Sequence, residues 1–120
     1  MTRSLSVLGV ALIISTTLHA ADLSGLWSLE LDPDFSGKPN TVGCGFTQNG
    51  DTLAIKCGGA ESVGNVDGSK VTWQFMTGRN NATIVTFVGV LDEQARSIAG
   101  TWHMASDPPQ DGRFKARRES

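Results

Sequence analysis

The chain has 120 residues, 39% hydrophobic and 18% charged, with 14 Gly and a net charge of −2. That composition fits one small core and excludes a fibrous, collagen-like or disordered chain. The balance is mildly acidic, and the only basic cluster (Lys115, Arg117 and Arg118) lies at the very end, so there is no electrostatic footprint for nucleic acid.

Taken from the start, Arg3 precedes an apolar run from Leu5 to Ile14, followed by Ser15, Thr16, Thr17 and then Leu18-His19-Ala20. This order is that of a secretory signal peptide over residues 1–20. The run is about half of the roughly 20 residues that span a bilayer, which argues against a membrane anchor. Cleavage after Ala20 takes Arg3 with it, so the domain expected over 21–120 carries a net charge of −3. No Cys follows the leader where lipid attachment would need one. The expected location is therefore secreted or periplasmic.

Eight short runs of alternating polarity follow, roughly 25–31, 41–48, 52–57, 61–66, 70–77, 83–91, 96–104 and 112–118. β-branched and aromatic residues fill them and Gly, Asn or Asp separates them, so the domain is all-β. In the sixth run two sets compete for the interior: Ile84, Val88 and Val90, or Val85, Phe87 and Leu91. Tight turns are expected at Gly50-Asp51, Asp67-Gly68 and Asp92 to Ala95. Longer connections are expected at Asp32 to Asn40, Gly58 to Ala60, Gly78 to Ala82 and Ala105 to Asp111. Short and long connections alternate, as in an up-and-down meander with all its long loops at one end. Eight such antiparallel strands can close into a barrel and so remove the exposed sheet edges. A two-sheet sandwich remains the alternative, because periodicity does not report closure.

Cys44 and Cys57 lie in a chain read as exported, where disulfides persist. A two-residue turn at Gly50-Asp51 pairs residues whose numbers sum to 101, which sets Cys44 opposite Cys57. A turn at Asn49-Gly50 would set Cys44 opposite Ile55 instead, so the cysteines favour the first register. Closing a loop this short contributes about 3 kcal/mol on the chain-entropy account.

The first strand opens Leu23-Ser24-Gly25-Leu26-Trp27 and the last ends Phe114-Lys115-Ala116-Arg117-Arg118. Both termini fall at the short-turn end, where Arg118 can stack on the Trp27 indole. In Gly25-Leu26-Trp27, and in this pairing with Arg118, the sequence resembles the calycin group of lipocalins, avidins and small bacterial metalloprotease inhibitors. The resemblance implies an antiparallel barrel closed at one end, with Gly25, Trp27 and Arg118 in structural roles. Val71-Thr72-Trp73, Thr86-Phe87-Val88-Gly89 and Thr101-Trp102 are similar to the later strands of avidins, although the expected polar residues after the first Trp are replaced by Leu29 to Leu31. The inhibitor family shares the size, export, single disulfide and opening.

Catalytic chemistry has little to work with. After cleavage one His and no Tyr remain, and His103 is in phase with the outward Ala99 and Thr101. Asp32, Asp34, Asp107 and Asp111 flank loop prolines without a metal-ligand spacing, so they read as solvated, and no metal or cofactor is expected. Alternation puts Leu29, Leu31, Phe46, Ile55, Trp73, Phe75, Trp102, Met104 and Phe114 on the inner face. Such a barrel is just wide enough to be filled by these side chains or to hold one small ligand. The candidate ligand-binding residues are Trp73, Phe75, Trp102, Met104 and Phe114, with Arg79 and the nearby Asn80 as polar anchors at the long-loop end. The expected function is non-catalytic binding of a small, mostly apolar molecule. The alternative is an inhibitor that engages a protein partner through its long loops.

Overall fold

The computed structural model describes residues 22–119; the proposed leader and its cleavage site lie outside them. Eight strands appear: β1 (Gly25–Asp32), β2 (Asn40–Asn49), β3 (Thr52–Cys57), β4 (Ala60–Asp67), β5 (Lys70–Thr77), β6 (Thr83–Leu91), β7 (Ser97–Met104) and β8 (Gln110–Arg118). Each pairs antiparallel with its neighbour in sequence. β8 returns to β1 from Trp27↔Arg118 to Asp32↔Arg113. The sheet is thus a closed up-and-down barrel rather than a sandwich. A short 3-10 turn, Arg79–Asn81, connects β5 to β6.

Alternation decides which side chains go in. Every residue expected on the inner face, from Leu29 to Phe114, is buried. In β6 the interior belongs to Val85 and Phe87, with Leu91 packed at the edge of the core. Ile84, Val88 and Val90 face outward. The choice is fixed by β7: Phe87 pairs with the inward Trp102, and Val88 with the outward Thr101. Burying each large apolar side chain contributes about 1.5–3 kcal/mol, so shifting β6 by one residue would expose its inner set and forfeit several such terms.

The β2–β3 register is the one that sums to 101, with Gly50 at φ +68 in a turn position that favours glycine. Cys44 and Cys57 form a disulfide with their Cα atoms 4.1 Å apart, in the closer class of cross-strand pair. Two connections differ from the sequence reading. Asp67 pairs with Lys70, so the β4–β5 turn is Gly68-Ser69 rather than Asp67-Gly68. Ala60 pairs with Cys57, so the β3–β4 connection is the tight Gly58-Gly59 and not a long loop. The long-loop end therefore carries three long connections and one short one.

One ladder is incomplete. β4 and β5 pair only between Gly64–Asp67 and Lys70–Trp73. There Gly64 lies so close to β5 that an added Cβ would fall 2.3 Å from the Thr72 carbonyl oxygen. Toward the long-loop end Ala60–Val63 stays on β3 while Gln74–Thr77 stays on β6, and only the Ser62 hydroxyl crosses, donating to the Gln74 carbonyl. The barrel wall is thus loosest beside its mouth.

Candidate functional site

At the short-turn end the barrel is shut. Leu23 is fully buried, its N–H donating to Gln48 Oε1 at 2.8 Å. Its carbonyl accepts the Trp27 indole N–H at 2.9 Å. Arg118 covers the outside of Trp27 and donates to the carbonyls of Asp22, Ser24 and Ala95.

The middle is filled by packed rings. Trp27 stacks on Phe46 at 5.0 Å, and Trp73 stacks on Phe87 at 5.0 Å. Phe46 and Phe114 meet Trp73 edge-on at 6.0 and 5.3 Å. Such pairs contribute about 0.5–1.5 kcal/mol each beyond the area they bury. The Trp73 indole N–H is buried in this stack without a hydrogen-bond partner.

The long-loop end is not filled. An apolar pocket of about 370 Å³ opens there, within the usual size range for ligand sites. Phe87 and Phe75 form its inner part, and Leu29, Leu31 and Val42 its wall on β1 and β2. On the opposite side, Ala60, Met76 and Thr77 come from the stretches where β4 and β5 part. Asp34, Ser36 and Asn40 supply the polar rim.

The β1–β2 loop that carries this rim is held from within. Asp34 Oδ1 accepts the Ser36 hydroxyl at 2.7 Å, the Ser36 N–H at 2.8 Å and the Lys38 N–H at 3.1 Å. The Asp34 N–H donates to the Lys38 carbonyl at 2.7 Å. The Ser36 hydroxyl first, and then the Lys38 amide, hold the Asp34 carboxyl below the usual carboxylate range, so it is charged at neutral pH. The loop is also tied to the barrel: Trp102 Nε1 donates to the Pro33 carbonyl at 3.0 Å, and Phe35 packs edge-on against the same indole at 5.0 Å.

Of the candidate ligand-binding residues, the pocket brings only Phe75 to its surface. Trp73 and Phe114 lie in the ring stack beneath it. Trp102 is capped by the β1–β2 loop, and the buried Met104 pairs with Val85. Arg79 and Asn80 are exposed in the β5–β6 turn and do not line the pocket. The residues not singled out were Val42, Ala60, Met76 and Thr77 and the rim group Asp34, Ser36 and Asn40. Their only sequence signal is that small and polar residues take inward positions near the long loops, at Ala60, Ser62 and Thr77.

A second depression, of about 390 Å³, lies on the outer wall over Gly45, Ala54, Lys56 and Val63. It is a dip over small side chains, flanked by the exposed Lys56–Glu61 pair at 3.9 Å. His103 is on the outer wall too, with Nδ1 2.6 Å from Asp111 Oδ1. Among the described residues no three His, Cys, Asp or Glu side chains come together as a metal site. Compared with known proteins, the sequence matches no family model and no curated relative. The architecture is consistent with the calycin group through the closed eight-stranded meander and the Trp27–Arg118 pair at its shut end.

Proposed function

We propose that this protein is an exported, lipocalin-like binder that holds one small apolar molecule at the mouth of its barrel and does no chemistry on it. The observation that carries the reading is the pocket between Leu29, Leu31, Val42, Phe75 and Phe87, an unfilled apolar volume at the open end of an otherwise packed barrel. A folded protein gains stability by filling such space, so leaving it open in one place, beside a polar rim, suits a ligand. Export is supported by the Cys44–Cys57 disulfide. Among the described residues no helix is long and apolar enough to cross a membrane. Native mass spectrometry of the protein, purified from its source without detergent, tests the proposal. A co-purifying small molecule that is lost in Val42→Trp supports it, and an empty protein that takes up no apolar molecule from a panel contradicts it.

The second reading, an inhibitor acting through its long loops, draws on the pinned β1–β2 loop. Phe35 is 37% exposed there, on a backbone held by Asp34 and Trp102. A rigid loop with an aromatic residue at its surface loses little entropy when it binds a partner. Capture of a protein partner that Phe35→Ala abolishes and apolar ligands do not affect would favour this reading.

A further inference from the structure

The size and polarity of the mouth narrow the ligand, if the carrier reading above is right. At about 370 Å³ the pocket lies near the lower end of the size range usual for ligand sites, which favours a small, slender molecule. The wall is apolar on all sides except the rim, where the charged group is Asp34. No Lys, Arg or His lines the pocket among the described residues.

Three hydrogen bonds to the Asp34 carboxylate go to Oδ1, two from Ser36 and one from the Lys38 amide, and the Gly37 N–H also lowers its pKa. The second oxygen, Oδ2, accepts none of these three bonds, so the carboxylate keeps acceptor capacity at the rim. Asn40 and Ser36 stand on the same rim with side chains that accept or donate. A carboxylate head placed here would meet a like charge, and no cation among the described residues lines the pocket to offset it. An ammonium head would meet an opposite charge, and a hydroxyl would find acceptors.

We infer that the mouth takes a short, slender apolar molecule whose head is an ammonium or another hydrogen-bond donor, seated against Asp34, and that it rejects the corresponding fatty acid. The apolar tail enters between Leu31, Val42 and Phe75, toward Phe87. The head stays at the rim, where water still reaches it, so neither charge bears the full cost of burial.

The test is a matched series in which only the head changes: decylammonium, 1-decanol and decanoate, titrated below their aggregation concentrations at neutral pH. Binding is read by calorimetry, with intrinsic tryptophan fluorescence as a second readout. Decylammonium is expected to bind about tenfold more tightly than decanol, and decanoate more weakly than either. In Asp34→Asn, which keeps an acceptor oxygen for Ser36 and Lys38, the preference for the ammonium should collapse while decanol still binds. If that variant loosens the loop, raising salt to about 1 M with the native chain gives the same readout, because screening removes the charge term and leaves the apolar one. Decanoate binding as tightly as decylammonium, or a preference that survives both Asp34→Asn and high salt, overturns the inference and leaves the carrier reading intact. Failure of all three to bind overturns both.

Discussion

The guanidinium carbon of Arg118 lies 4.9 Å from the centre of the Trp27 ring, one strand away across the β1–β8 seam that closes the barrel. The two residues pair in register, so the contact is made by the same hydrogen-bonded ladder that converts a sheet into a barrel. Arg118 also donates to three carbonyls, of Asp22, Ser24 and Ala95, which ties the segment before β1 and the β6–β7 turn to one side chain of β8.

Trp27→Ala is expected to cost about 3–5 kcal/mol, since it empties the volume under Leu23 and beside Phe46. Arg118→Ala is expected to cost less, about 1–2 kcal/mol, from lost hydrogen bonds and the cation–π contact at a partly solvated site. Urea melts measure both. An unchanged midpoint for Trp27→Ala would place that residue outside the core.

Two buried tryptophans differ in one bond. Trp102 donates to the Pro33 carbonyl, while the Trp73 indole N–H has no partner. Replacing each by Phe should therefore cost more at Trp102, by about 1 kcal/mol, because only there is a hydrogen bond lost and an acceptor stranded. Equal losses in denaturant melts would mean that the Trp73 N–H is satisfied, for example by a buried water.

Gly112 faces the flat of the Trp102 indole, and a Cβ there would lie 2.4 Å from its Nε1. Gly112→Ala should displace the ring, break its bond to Pro33 and cost about 1–3 kcal/mol. A red shift of tryptophan emission should accompany the loss. A stable variant with unchanged emission would show that the β1–β2 loop is not held through this ring.

The disulfide gives a direct count. Thiol titration of the denatured, unreduced protein should find no reactive thiols. The Cys44→Ala/Cys57→Ala double variant should lose about 3 kcal/mol. Two free thiols per chain would contradict the pairing.

Acid should weaken the fold through three carboxylates. Asp92 is held below its ordinary value by the backbone N–H groups of Arg96 and Ser97, Asp22 by Ser24, and Asp34 by Ser36 and Lys38. A carboxyl whose folded pKa lies below its unfolded one stabilises the protein above the unfolded value, and that contribution is lost as pH falls through the folded one. Stability should thus hold from neutrality to about pH 5 and decline below about pH 4. Asp92→Asn should flatten part of that decline. A fall that begins above pH 6 would require a different titrating group.

Much of the fold could be read from the residues because a barrel's local and global demands coincide. Alternation placed Leu29, Phe46, Trp73 and Trp102 inside, and the two cysteines set the β2–β3 register. The phase of β6 could not be read, since Val85-Phe87 and Ile84-Val88 are equally apolar; it is decided by pairing with β7, a long-range contact. The pocket was less legible still. It arises where β4 leaves β5, beyond the close approach at Gly64, and a missing ladder has no residue type of its own. Trp102 and Met104 lie toward the mouth, as alternation places them, but the β1–β2 loop folds over Trp102.

The central claim is that the mouth pocket is a binding site, and a thermal shift tests it most directly. A molecule that binds only the folded state adds about 2.7 kcal/mol at one hundred times its dissociation constant. On that basis 1-decanol should raise the melting temperature of the native chain by several degrees. It should do nothing to Val42→Trp, whose added ring fills the pocket between Leu29, Leu31 and Phe75. A shift that is absent from both chains, or equal in both, contradicts the claim.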